Sequence, residues 1–325
     1  MNKYSVLILL FLLVTAVQAE KKEKLHPVHT YSIVAYDSTT GQFGAAVQSH
    51  WFKVADVIWA EPGVGAVATQ SLVEFSYGPL GLEMMKNGKS AKQALDGLLA
   101  SDENNQVRQV AMIDKNGTVI THTGDNCIAE AGHVTGHHYS VQANLMEKNT
   151  VWQAMADAYE STEGDLATRM LAAMDAAQAE GGDIRGKQSA AMIVVRAEPT
   201  GKSWEDKLID VRVDDSEEPL KELRRLVNIS RAYEHMNKGD EYITAKDFEN
   251  AKKEYEIAVE LSGGNLEILY WFAVTLTTEG EIDKALPIYK KIFEQDKNWQ
   301  ILIPRLVTSE ILPNDTTVIK QIMEL

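Results

Sequence analysis

Thr30-Tyr-Ser-Ile-Val-Ala-Tyr36, Asp37-Ser-Thr-Thr-Gly41 and Gln42-Phe-Gly-Ala-Ala-Val-Gln-Ser-His50 follow one another without a break. The first segment is β-branched and aromatic, and the last is rich in small residues. The polar middle ends in Gly. The pattern predicts a strand over Tyr31–Tyr36, a turn at Asp37–Gly41 and a second strand over Gln42–His50, which together make a hairpin. Downstream, Glu61-Pro62-Gly63 is a turn leading into an apolar strand from Val64 to Gln70. Arg108–Asp114 and Thr118–Thr123 read as strands joined by Asn116-Gly117, the strongest short hairpin signal. Ser189–Val195 and Leu208–Val213 complete the set. Hairpins dominate, so the sheets are expected to be mostly antiparallel.

Helical patterning falls between these strands. Pro79–Asn87 is a short helix ended by Gly88, and Ser90 is an N-cap for Ala91–Ala100, with Leu95, Leu98 and Leu99 on one face. Val151–Gln178 is helical with a break near Gly164, and Gly181-Gly182 ends it. Pro219 opens a further helix running past Leu226, while Gly132–Tyr139 reads as a loop. The order is α+β rather than a βαβ nucleotide fold. No Gly-rich dinucleotide fingerprint or phosphate loop is present.

Upstream of the hairpin, Lys3, the apolar run Val6–Val14 and Val17-Gln18-Ala19 read as a secretory signal over residues 1–19. A secreted or periplasmic location is expected. The run is too short for a comfortable membrane span, so none is expected once the signal is removed. Residues 20–29 read as a charged, flexible leader containing Pro27. The 325 residues suit two domains, and the 45% apolar fraction is enough for a sizeable core. A formal net charge of −15 argues against nucleic acid and anionic lipid as partners. Cys127 is the single cysteine, so no internal disulfide or zinc–thiolate site can form. His133, His137 and His138 lack a carboxylate at metal-ligand spacing. No metal and no cofactor is expected.

From about Asn228 the chain is helical with a period of 34: Gly239 pairs with Ala273, Tyr242 with Leu276, Ala251 with Ala285, and Tyr255 with Tyr289. Together with Ala258 these positions resemble tetratricopeptide repeats, in which small residues let paired helices approach and large ones fill the gaps. The early Trp position is His235 in one repeat and Leu269 in the next, and the late Pro is absent. Residues 228–325 are therefore expected to be a repeat module, with Gln300–Leu325 capping it. The expected role is binding a protein or peptide partner, or forming a homo-oligomer.

In the first domain, several polar strings are too particular for a plain scaffold. They are Thr30–Ala35, Ala68-Thr69-Gln70, Arg108-Gln109, Gly132-His133 with Gln142 and Asn144, Gly181–Gly186 with Gln188-Ser189-Ala190, and Asp210–Asp215. In this order they resemble the domain-of-unknown-function family numbered 1028, over roughly Thr30 to Leu226. That family is grouped with the Ntn hydrolases. The resemblance implies a four-layer αββα domain over residues 30–227, with two antiparallel sheets stacked between helical layers. It further implies an amidohydrolase in which an N-terminal Thr, Ser or Cys attacks an amide carbonyl and its own α-amine takes the proton.

On that resemblance Thr30 is the nucleophile and Asn144 an oxyanion donor, with Asp183 and Arg185 positioning substrate or the amine. Ser49, Thr69, Gln70, Gln188 and Ser189 are substrate-binding candidates. A free Thr30 amine needs a second cut, at His29–Thr30, beyond signal removal. The substrate implied is a small amide or peptide. The alternative is a non-catalytic binding protein that keeps the fold and docks a partner through its repeats.

Overall fold

The computed structural model describes residues 26–325, so the expected signal segment, residues 1–19, and residues 20–25 of the expected leader lie outside the described residues. The leading hairpin forms as β2 (Thr30–Tyr36) and β3 (Phe43–Ser49), paired from Thr30↔Ser49 to Tyr36↔Phe43. They are the centre of a six-stranded antiparallel sheet ordered β11-β10-β3-β2-β9-β8. Here β8 is Gly132–Gly136, β9 Tyr139–Ala143, β10 Ser189–Val195 and β11 Lys207–Val213. A five-stranded antiparallel sheet contains β1 (His26–Val28), β4 (Ile58–Glu61), β5 (Gly65–Val73), β6 (Arg108–Asp114) and β7 (Val119–Thr123). Both β1 and β4 pair with β5.

The period-two alternation of each strand sorts its side chains to two faces. Val34, Ala45, Val47, Ala66, Ala68, Ala111, Ile113 and Ile193 meet between the sheets. On the outer face of the smaller sheet, α1 (Tyr77–Lys86) and α2 (Ala91–Ser101) cover Val67, Val110 and Met112 with Tyr77, Leu82, Met85 and Leu95. On the outer face of the larger sheet, α3 (Val151–Ser161), α4 (Leu166–Ala179) and the start of α5 (Pro219–Thr244) cover Tyr31, Ile33, Val141 and Met192. Ser90 caps α2 in a full capping box with Gln93, and Asp165 caps α4. The Asn116-Gly117 turn closes β6–β7 with Gly117 at φ 73°, where a side chain would be strained.

Strand β4 and most of β9 carry no strand expectation from the sequence, and two further segments differ from what it predicts for them. Gly132–Tyr139, expected as a loop, supplies β8 and the start of β9. Its glycines have a packing reason, because a Cβ on Gly132 would lie 2.6 Å from the Trp152 ring. The end of the leader, expected to be flexible, is strand β1, with Val28 fully buried.

The C-terminal region is helical: α6 (Phe248–Ser262), α7 (Leu266–Thr278), α8 (Ile282–Gln295), α9 (Asn298–Thr308) and α10 (Thr316–Met323). The small residues of the 34-residue period sit at helix contacts. Gly239 of α5 faces the Tyr255 ring of α6, where a Cβ would lie 2.7 Å away. Ala273, Ala285 and Tyr289 are fully buried in a core that Ile303, Leu306 and Ile322 of the last two helices extend. The long helix α5 joins both regions. Leu220, Leu223 and Val227 belong to the first core, while Ala232 and Met236 belong to the repeats.

Candidate functional site

The same alternation that builds the apolar layer between the sheets turns polar at one end. Thr30 and Ser32 share a face with Val34, Ser49 with Val47, Gln70 with Ala68, and Gln109 with Ala111. Gln142 and Ser140 share the corresponding face of β9, opposite Val141. The side chains of Thr30, Ser32, Ser49, Gln70, Gln109, Gln142 and Asn144 are all fully buried. Polar groups packed this deeply need partners, and they find them in one another and in nearby backbone carbonyls across the two sheets, except that Gln142 Oε1 is left without one among the described residues.

Gln70 is the hub. Its Nε2 donates to Thr30 O (3.0 Å) and Gln109 Oε1 (2.7 Å), and its Oε1 accepts from Ser32 Oγ (2.7 Å). Gln142 Nε2 donates to Ser32 Oγ at 3.2 Å. Gln109 Nε2 donates to Ala143 O and Thr123 Oγ1, both at 2.9 Å. Asn144 Nδ2 reaches Gln109 Oε1 at 3.0 Å and Thr30 O at 3.4 Å, and the Asn144 backbone N–H donates to Thr30 O at 3.1 Å.

This network surrounds the His29–Thr30 peptide. The His29 carbonyl oxygen accepts from Ser49 Oγ (2.5 Å) and from Arg185 Nη2 (2.8 Å). Thr30 Oγ1, next along the chain, donates to Val28 O at 3.1 Å. The His29 ring, 4% exposed, meets Asn144 Oδ1 through Nδ1 at 2.8 Å. Burial holds the His29 pKa below its ordinary value; the Asn144 bond opposes this and the nearby Arg185 charge adds to it.

Arg185 is itself locked by Asp183, whose side chain is fully buried. Arg185 Nε donates to Oδ1 at 3.0 Å and Nη2 to Oδ2 at 2.6 Å, a bidentate fork. Asp183 Oδ2 also accepts from His50 N at 3.2 Å. The Asp183–Gly186 loop turns on Gly182 (φ 66°) and Gly186 (φ 109°). Beside it opens a cleft of about 330 Å³ lined by His50, Lys187, Gln188, Asp215, Ser216 and Glu217.

Of the residues expected from sequence, Thr30, Ser49, Gln70, Asn144, Asp183 and Arg185 come together here. Three others do not. Thr69 has the opposite parity to Gln70, and its hydroxyl reaches Glu74 O at 3.5 Å. Gln188 Nε2 is turned to Asp215 Oδ1 at 3.1 Å. Ser189 Oγ accepts from Val54 N at 3.1 Å and donates to Trp51 O, tying down the loop after β3. Ser32, Gln109 and Gln142 lie in the polar strings and His29 beside them, but none of the four is given a site role by the sequence reading. The signal for them was a polar residue at an inward position of an otherwise apolar strand.

The other histidines are placed elsewhere. His138 Nδ1 meets Gly117 O at 2.9 Å, and His133 Nδ1 meets Thr123 Oγ1 at 2.8 Å. Burial raises the pKa of the Cys127 thiol and lowers that of His133. Among the described residues, no helix is long and apolar enough to cross a membrane.

Residues 30–223 match the model of a family described as a family of unknown function (DUF1028), and residues 235–265 match a tetratricopeptide repeat, a module suggesting protein–protein interaction. Among solved structures the chain is similar to protein SPO2555 from Silicibacter pomeroyi, a crystal structure carrying the same family model. It is 26% identical, with a TM-score of 0.55, over 61% of this chain and 84% of that one. No curated protein matches. The family model spans more than half of the sequence, including every residue of the buried polar network but His29, and the chain belongs to the DUF1028 family.

Proposed function

We propose that the N-terminal domain, residues 30–227, is an exported four-layer αββα amidohydrolase of the Ntn type, made as a precursor and activated when the chain is cut at His29–Thr30. One observation carries this reading. The bond to be cut lies against the buried polar network, its carbonyl oxygen is held by the buried Ser49 and the partly exposed Arg185, and the next residue carries a hydroxyl.

The cut would free the Thr30 α-amine, whose ordinary pKa near 8 leaves a useful neutral fraction at neutral pH. That amine takes the proton of Thr30 Oγ1 as the oxygen adds to a substrate amide carbonyl. The substrate oxygen occupies the place of His29 O, where Ser49 Oγ and Arg185 Nη2 stabilise its developing charge. The C–N bond then breaks, the proton passes to the departing amine, and water hydrolyses the resulting ester. Asp183 fixes the Arg185 guanidinium. In the uncut chain the Asn144 amide nitrogen is held by Thr30 O and Gln109 Oε1, so its donation to a substrate oxygen requires release from those acceptors. The repeats, residues 228–325, hold a protein or peptide partner of this enzyme.

The strand pairing of His26–Val28 favours a second reading, in which the leader stays and the protein binds without catalysis. N-terminal sequencing of the exported protein separates the two. A mature chain starting at Thr30, with amide hydrolysis lost in Thr30→Ala and kept in Thr30→Ser, is the expected result. A mature chain starting only at Glu20 and hydrolysing no amide removes the enzyme.

A further inference from the structure

The leader's last residues mark a place that a different chain can fill. Strand β1 lies antiparallel to the outer end of β5, with His26↔Val73, Pro27↔Leu72 and Val28↔Ser71. On that edge β4 covers only residues 65–68, so, among the described residues, 71–73 are an open edge apart from β1. An unpaired edge of this kind is a template for an added strand. The site is built for its occupant. Pro27 has no N–H to offer and faces Leu72, whose carbonyl is taken by Arg108 Nη1 at 2.7 Å. Val28 and the His29 ring are buried, the latter against Asn144 Oδ1. Ser71 holds φ at 74° while fully buried, the kind of backbone strain that collects at ligand clamps.

We infer that this edge is the acyl-side subsite of the mature enzyme. It would take an extended peptide, lying antiparallel to residues 71–73, in the place that residues 26–28 hold before the cut. This rests on the hydrolase reading for the identity of the scissile bond. The substrate residue at the Val28 position is apolar and compact, the one before it tolerates Pro, and the one at the His29 position can donate a hydrogen bond to Asn144. The carboxylate produced at that position is left between Ser49 Oγ and Arg185, where an Arg–carboxylate bond forms readily. The severed leader, residues 20–29, is therefore a product-type inhibitor.

The test uses residues 30–325, prepared with Thr30 first by removal of a fused tag, titrated calorimetrically with a synthetic peptide of residues 20–29. Saturable one-to-one binding is expected. A weakening of roughly tenfold or more is expected for the Val28→Asp peptide, for the peptide amidated at His29, and for Arg185→Gln protein. No binding by the folded protein, or equal binding of the Val28→Asp peptide, overturns the inference. Hydrolysis of small chromogenic amides is scored separately. Hydrolysis without peptide binding rejects the subsite alone, and peptide binding without hydrolysis rejects the enzyme alone. Should residues 30–325 fail to fold, hydrogen exchange on the full chain answers the same question. Val28→Asp is then expected to expose the edge amides of residues 71–73, and unchanged protection there overturns the inference.

Discussion

Gln70 offers the sharpest test of the polar network, because its two ends do opposite work. Truncation to Ala removes the acceptor of Ser32 Oγ and one donor each from Thr30 O, Gln109 Oε1 and, at a long 3.4 Å, Gln142 O. Thr30 O keeps the Asn144 N–H, and Gln109 Oε1 keeps Asn144 Nδ2. Only the Ser32 hydroxyl is left without an acceptor, at about 1–3 kcal/mol, and the vacated side-chain volume adds a comparable amount. A total of about 3 kcal/mol is expected for Gln70→Ala, a large share of the roughly 5–15 kcal/mol that stabilises a typical domain.

Gln70→Glu keeps the shape but turns a donor into an acceptor. At neutral pH it sets a buried carboxylate against Thr30 O and Gln109 Oε1 with no counter-ion, which costs several kcal/mol even after relaxation. The isosteric change should thus be worse than truncation at pH 7. The gap should narrow as pH falls toward 5 and the new carboxyl takes up a proton. Urea unfolding of the three proteins at both pH values measures this. A Gln70→Glu protein more stable than Gln70→Ala at pH 7 would refute the donor assignment and the network built on it.

Other predictions are simpler. His29 titrates below its ordinary 6.5 because it is buried, so the docked leader favours the neutral ring. Its docking should be fully present above pH 6.5 and be lost progressively as pH falls toward the folded value. Limited proteolysis of the leader, slow at pH 7.5 and faster at pH 5, should show this, and His29→Leu should lose the pH dependence. In the repeats, Gly239→Ala should gain up to about 1 kcal/mol of helix propensity. It nevertheless should destabilise by about 1–3 kcal/mol, because the new methyl meets the Tyr255 ring. Thermal melts decide it, and a raised melting temperature would mean that the helices part at no cost.

Much of the fold was legible from local rules. The Asp37–Gly41 turn, the Asn116-Gly117 hairpin, the Ser90 cap and the 34-residue period each act over a few residues or one repeat. The misses share one cause. Three residues containing Pro27 carry no strand signal of their own, and they become β1 only because β5 offers an edge. Gly132–Gly136 looks irregular until Trp152 is seen to need the space. The site divided the same way. Thr30, Asn144, Asp183 and Arg185 stood out through the family's strings. Gln109 and Gln142 lie in those strings too, but their part shows only where strands distant in sequence lay their inward faces together, and Thr69 drops out because one residue's shift in a strand reverses its direction.

Helix α5 has a mechanical consequence. Its 26 residues make a rod of about 39 Å, anchored at one end under the larger sheet and at the other among the repeats. No swivel intervenes, so a partner bound by the repeats would be carried at a set distance and azimuth from Thr30, like a tool on a rigid boom rather than a tether. One residue inserted between Val227 and Ala232 would advance the boom by about 1.5 Å and turn it by roughly 100°, pointing the gripped partner elsewhere while leaving both cores intact.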